Sequence, residues 1–275
     1  MGTFLIDRKT AGKTLFDLHL NRIRLIEMRL AHFLCRSIST QNRIEAMVAN
    51  ARFHWGPEHF VEYLAMTDSA VRRQYDRLAR GYDQRWSRYI TQTLTFLKSW
   101  ASIPPQATVL DIGCGTGEFE WLVLREHPEQ RIVGVDVCGK MLELARQKCQ
   151  AYPNVTFYTA SASALPFLNH SFDVVVSASA LHYFDQPDVN LAEMRRVVKP
   201  GGSVVILDWC KDYIWCRLLD IVLKLIEPAY QRCYTQHEFH RLLASAQFDM
   251  QSGRRVRFGL VWGLMIATAT TKSGS

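Results

Sequence analysis

The sequence predicts an α/β protein: a doubly wound, mostly parallel sheet of seven strands, a C-terminal antiparallel strand and an N-terminal helical extension. Three observations carry that prediction. From residue 107 onwards, short and nearly continuous apolar runs alternate with helical runs, the pattern of a parallel sheet covered on both faces. The first run, Val109-Leu110-Asp111-Ile112, enters a turn with glycine at alternate positions, Gly113, Gly115 and Gly117. The chain has 275 residues, 48% hydrophobic and 21% charged, enough to bury a sizeable core without disulfides and unlike a disordered chain.

The elements follow in order. Residues 14–36 place Phe16, Leu20, Ile23, Leu30 and Leu34 at helical spacing, with Ile26 and Phe33 widening the stripe and Arg22, Arg24 and Arg29 beside it. Such a basic amphipathic helix suits a membrane surface or a partner protein; packing on the chain's own core suits the same stripe. A second helix is expected from Thr40 to His54, broken by Gly56-Pro57. A third helical region starts at Ser69 as N-cap and runs to Trp100 with a break near Gly81. It sets Tyr75, Tyr82, Trp86 and Tyr89 among arginines that read mostly as a solvated face. Residues 1–68 are thus expected to form the extension and residues 69–275 the main domain.

Beyond Pro104-Pro105 the alternation begins. Strands are expected at 107–112, 131–136, 154–159, 172–177 and 203–208, and helices at 118–126, 141–151 and 190–198, the last stopped by Lys199-Pro200-Gly201-Gly202. Helices at 213–226 and 236–246 follow, then two strands, 249–258 and 260–270, as an edge hairpin.

The 33 basic and 26 acidic residues give a net charge of +7. The segment 107–210 is acidic, and the surplus positive charge lies on its flanks. A basic cluster interleaved with recognition aromatics is not evident, so no nucleic-acid partner is expected. The seven cysteines have no C-x-x-C spacing, which suits free thiols in a reducing cytoplasm. Cys233, His237 and His240 suggest a metal site, but no fourth ligand is near in sequence and a solvated helix face is the reading adopted; no metal is expected. Met1 to Lys13 lacks the apolar stretch of a signal peptide, and the uncharged run from Phe258 to Thr271 is too short to span a bilayer.

The glycine turn is the sharpest feature. Glycine permits positive φ and lets a ligand approach the backbone. The helix that follows offers free N–H donors and a partial positive charge to an anionic group. Asp136 ends the next strand, 19 residues after Gly117, where an acidic side chain beyond the strand ends can accept two ribose hydroxyls. The dinucleotide fingerprint is G-x-G-x-x-G. Here the order is G-x-G-x-G, and Glu118 occupies the place of the third glycine, unsuited to a pyrophosphate. With Asp111 also at the mouth, the pattern fits a nucleoside bearing both an ammonium and a carboxylate, such as S-adenosylmethionine.

At these residues the chain resembles the class I S-adenosylmethionine-dependent methyltransferases of the small-molecule, type 11-like group. The likeness covers roughly residues 70–210. It comprises V-L-D-I-G-C-G-T-G at 109–117, G-V-D at 134–136 with Met141-Leu142, A-L-P-F at 164–167, S-F-D-V-V-V-S at 171–177, L-H-Y-F at 181–184 and K-P-G-G at 199–202, preceded by Y-D-R-L-A-R-G-Y-D at 75–83. The resemblance implies a Rossmann-like fold and S-adenosyl-L-methionine as cofactor. It implies that Gly113, Gly115 and Gly117 hold the methionyl end, Asp111 lies near the ammonium and Asp136 takes the ribose. It further implies that Met141 packs on the adenine, Ser161-Ala162 meet its amino edge, Ser177 begins the wall beside the sulfonium and Tyr82 closes over the cofactor. Serine at 161 departs from the Asp usual in the family.

Methyl transfer from a sulfonium is an in-line displacement with a neutral leaving group, so alignment and water exclusion matter most. His182, after the fourth strand, is the candidate general base; a shape-determining histidine is the plainer reading. Tyr183, Tyr82, Trp86 and Trp209 are candidates for an aromatic acceptor pocket. The apolar run around Trp215, Leu218, Ile221 and Val222 suggests an apolar small-molecule acceptor. Two other readings stay open at this point: an NAD-dependent oxidoreductase, opposed by the glycine spacing, and a non-catalytic S-adenosylmethionine-binding protein.

Overall fold

The computed structural model describes residues 57–259 and 262–271, with side chains from residue 68 onwards. The expected helices at 14–36 and 40–54 lie outside the described residues. The chain divides into two compact units, residues 1–63 and residues 64–275.

Helix α1 (Pro57–Leu78) opens with proline at its first position, where the missing N–H costs nothing. It runs straight through Ser69, so Ser69 is a mid-helix residue and not the N-cap that its side chain suggested. Gly81, at φ 81°, turns the chain into α2 (Tyr82–Ala101), as the sequence break predicted.

The sheet is built from β1 (Thr108–Ile112), β2 (Arg131–Asp136), β3 (Val155–Thr159), β4 (Phe172–Ala178), β5 (Val198–Trp209), β6 (Phe248–Phe258) and β7 (Trp262–Thr271). Their order is β3-β2-β1-β4-β5-β7-β6. The first five are parallel neighbours; β7 pairs antiparallel with both β5 and β6. Helices α3 (Glu118–Leu124), α4 (Gly139–Lys148), α5 (Pro187–Val197), α6 (Ile214–Ile226) and α7 (Gln236–Ser245) complete the unit.

Alternate residues of one strand feed opposite faces. Leu110 and Ile112 of β1 join a core with Val175, Ile206 and Phe239, whereas Val109 joins Phe119, Val174, Val205 and Leu97. Both faces are therefore covered, which explains the near-continuous apolar strands. The helix does stop before residues 199–202, at Val197, but those residues already belong to β5, which starts at Val198 and not at Ser203: Val198 pairs with Phe172, and an irregularity between Phe172 and Val174 absorbs the glycines. The expected hairpin is present, but its second strand lies inside the sheet and only β6 forms the edge.

The chain travels outward through β2 and β3, then returns to the other side of β1 through β4 and β5. Strand order reverses between β1 and β4, and a crevice opens beyond their carboxyl ends.

Candidate functional site

That crevice is a cleft of about 960 Å³, open solvent at its mouth included. Its floor is the glycine turn. Gly113, Gly115 and Gly117 all have positive φ, 78°, 55° and 72°, which other residues adopt at a cost. Gly113 and Gly115 line the cleft. A Cβ on Gly113 would sit 2.8 Å from that of Ala180, while Gly115 faces open space. Gly117 does something else: it caps α3, and a Cβ there would strike Ala145 of α4 at 2.9 Å. Its role is helix packing.

Asp136 stands where the sequence placed it. Its carboxylate accepts the Gly115 N–H at 3.0 Å and the Cys138 N–H at 2.8 Å, tying the glycine turn to the turn before α4. Burial pushes this carboxyl up, and those N–H groups oppose the push. Each oxygen keeps a lone pair for a ligand. Met141, Ser161, Ala162 and Tyr82 line the same cleft. Tyr82 packs edge-on against Tyr75, and Tyr75 against Tyr183, forming an aromatic wall. Burial, then the nearby Asp136 and Asp83, push the Tyr82 phenol up to about 12, so it stays a neutral donor.

Ser177 and Asp111 also depart from the expected geometry. Ser177 is buried, and its hydroxyl donates to the Ile112 carbonyl at 2.8 Å. It braces β4 on β1, and the cleft wall is made by Ala178, Ser179 and Ala180 instead. Asp111 is 3% exposed and lies beneath the turn, not on the cleft surface. Beside it is a residue the sequence reading missed: Glu120 on α3, fully buried. One Asp111 oxygen and both Glu120 oxygens lack a hydrogen-bond donor. Burial, reinforced by neighbouring carboxylates, raises both acids. Room for Glu120 is made by Gly134, whose absent Cβ would lie 2.7 Å from the Glu120 carboxylate. That glycine was the available signal.

Glu118 does not face the cleft. It pairs with Lys148 at 2.7 Å, and Lys148 also binds Asp83 at 2.7 Å. Thr116 donates to Asp83 at 2.6 Å. This cluster stitches the start of α2 to the glycine turn and to α4.

Asp68 of α1 is the second missed residue. It lines the cleft beside Ser161 and is raised by burial, against a hydrogen bond from Ser161. The acid that residue 161 lacks is thereby present in the same corner, from another element. Ser161 itself shares a 2.8 Å hydrogen bond with Ser163.

His182 is 2% exposed. Its Nδ1 lies 2.7 Å from Asp208 Oδ1, its backbone N–H donates to Asp208 Oδ2, and its ring stacks on Trp209 at 4.2 Å. These contacts fix the ring's orientation between Asp208 and Trp209. His182 does not line the cleft; its neighbour Tyr183 does. The expected aromatic pocket is divided. Tyr82 and Tyr183 face the cleft, whereas Trp86 and Trp209 gather around Trp262 with Tyr89. Trp209 donates to the Tyr89 hydroxyl, itself 2.7 Å from Ser179 of the cleft wall. The apolar residues of α6 face outwards, not into the cleft. Cys233 is core, packed with Cys216 and Tyr230, so it does not share a solvated face with His237 and His240.

The residues fit S-adenosylmethionine on these grounds: a glycine floor that admits a backbone contact, a half-buried carboxylate at the carboxyl end of β2 that lines the cleft, and an aromatic wall. Comparison with known proteins agrees. A family profile described as "Methyltransferase domain" matches residues 109–202. A ubiquinone/menaquinone biosynthesis C-methyltransferase of Desulfotalea psychrophila is 33% identical over 143 residues, 50% of this chain and 55% of that protein. A demethylmenaquinone methyltransferase of Bacillus licheniformis is 31% identical over 181 residues, 62% of this chain and 76% of that protein. The chain thus spans about half the length of some curated relatives and three quarters of others. Among solved structures, the YcgJ protein of Bacillus subtilis superposes with a TM-score of 0.58 at 19% identity, over 67% of this chain and all of that one, which speaks for the fold. With the glycine turn, the Asp136 carboxylate at the end of β2 and a relative matched over three quarters of its length, the chain belongs to the class I S-adenosylmethionine-dependent methyltransferases.

Proposed function

We propose that this protein transfers the methyl group of S-adenosylmethionine to a small, apolar aromatic acceptor of the quinone class. The single observation that carries the reading is the cleft at the β1/β4 reversal, with Asp136 anchoring the glycine turn on one side and tyrosines on the other. The curated relatives are named for quinone methylation, which supports the acceptor class. Family membership removes the oxidoreductase alternative. Free buried cysteines among the described residues suit a reducing, cytoplasmic setting.

When bound, S-adenosylmethionine supplies an electrophilic methyl group whose transfer leaves a neutral thioether. The chain's own task is then to bind, orient and exclude water. Asp136 offers lone pairs to vicinal hydroxyls while its backbone hydrogen bonds fix its position. Gly113 and Gly115 present bare backbone to the amino-acid end. Asp68, Ser161 and the Ala162 N–H form the polar corner for a purine edge. Tyr82 and Tyr75 shield the cleft. An acceptor hydroxyl must lose its proton as carbon attacks. His182 is buried behind the cleft wall and does not reach the cleft; held by Asp208, it fixes the position of its neighbour Tyr183, which lines the cleft.

Two measurements test this. Incubation with methyl-labelled S-adenosylmethionine and a demethylated quinol should move label to the ring. Asp136→Ala should abolish cofactor binding by calorimetry, and unchanged binding would sink the reading.

A further inference from the structure

Helix α6 is built inside out. It is 13 residues long, about 20 Å at 1.5 Å per residue. Its one acidic residue, Asp220, is turned inwards and 2% exposed. There the carboxylate accepts from the Tyr230 hydroxyl at 2.9 Å and the Cys233 N–H at 2.8 Å, and binds Lys211 and Lys224 at 2.8 Å each. The opposite face is apolar and meets solvent. Ile214, Trp215, Leu218, Ile221, Val222 and Leu225 recur along one stripe, Trp215 at 51% exposure, Ile221 at 59% and Leu225 at 82%. A surface helix normally presents the reverse polarity. A contiguous apolar face of this kind marks a contact surface.

The rim of that face is cationic. Arg217 is exposed on α6 itself, and Lys211 and Lys224 reach past Asp220 with about a third or more of each side chain still exposed. From β6, Arg257 lies over the Tyr213 ring at 5.5 Å, and Arg255, half exposed, approaches Asp212 at 3.5 Å. Both therefore sit at the amino end of α6. An apolar stripe flanked by cations, with its sole carboxylate withdrawn, is complementary to an anionic lipid surface: side chains enter the acyl boundary while arginine and lysine meet headgroups. Trp215 supplies the ring type that favours that boundary.

We propose that α6 is a membrane-docking helix that lies flat on anionic lipid. Its position gives the contact a direction. Glu227, the residue after α6, accepts the Tyr183 hydroxyl at 2.7 Å, and Tyr183 lines the cleft. Docking through α6 brings the cleft beside the lipid. The proposal goes beyond methyl transfer and stands whether or not the acceptor class is right.

The test uses the full chain and vesicles of phosphatidylcholine with phosphatidylglycerol, against phosphatidylcholine alone, read by co-sedimentation. The protein should sediment with anionic vesicles and release with added salt. The exposed pair Ile221→Glu with Leu225→Glu should weaken binding about ten-fold or more; the milder Ile221→Ser with Leu225→Ser should weaken it less. Arg255→Ala with Arg257→Ala should lose the preference for anionic lipid. All should keep the wild-type melting temperature and cofactor affinity. Wild-type protein that ignores both vesicle types overturns the proposal, as does a Glu double variant that binds like wild type. A wild-type dimer that the Glu substitutions split, without vesicle binding, assigns the face to a second copy and overturns it too.

Discussion

Asp111 and Glu120 show how two acids can share one dry space. Burial raises both, so each keeps its proton to higher pH in the folded protein than in the unfolded chain. The folded state then binds more protons, and stability falls as pH rises from the ordinary carboxylate range through the raised values. Melting temperature should therefore drop between about pH 5 and pH 8. Glu120→Gln, which keeps the shape and removes one charge, should flatten that slope; an unchanged slope refutes the assignment. Asp111 could be read in the sequence because it precedes the glycine turn. Glu120 was missed because its partner is met only when α3 folds over β2; Gly134 marked the space but not the acid that fills it. Asp68 was hidden for a similar reason: the turn at 161 lacks an acid locally, and a helix more than ninety residues earlier brings one.

Among the elements, α6 and β7 meet through a close contact. Gly263 of β7 lies under the Tyr213 ring, and a Cβ there would come within 2.0 Å of it. Gly263→Ala must displace the ring, so it should destabilise the fold by about 2 kcal/mol or more in denaturant unfolding; a loss under half of that would mean Tyr213 moves freely. The withdrawn Asp220 of α6 titrates in the opposite sense to the acids under the glycine turn. Burial pushes its carboxyl up, but Cys233, Lys211, Lys224 and Tyr230 outweigh it and hold it down at about 2, from 3.8. Its contribution is full above the unfolded value and is lost as pH falls from about 4 to about 2, worth about 2 kcal/mol. Asp220→Asn should remove that segment of the acid-unfolding curve and leave the neutral side unchanged. Strands and helices of the sheet were legible because apolar runs bounded by turns have one reading. Ser69 misled because an N-cap residue inside a helix differs from one at its start only through what precedes it. The glycines at 201 and 202 misled because a bulge lets a strand carry them.

For the whole molecule, the charge pattern takes on a place. The acidic segment 107–210 carries β1 to β5, and the basic surplus of the C-terminal part includes the arginines of β6, Arg217 and Lys224 of α6, and Lys211 just before α6. The sequence placed that surplus outside the core but could not say which surface it shared with apolar side chains. Among the described residues, no helix is long and apolar enough to cross a membrane. Sheet order carries one more lesson. β6 precedes β7 in the chain, yet among the described residues its one strand neighbour is β7, which also fills the gap beside β5. During synthesis β6 leaves the ribosome before any partner exists for it, and β5 waits with an open flank. The three arginines of β6, at 254, 255 and 257, then act as gatekeepers that deter pairing with another nascent chain until β7 emerges and closes both edges at once.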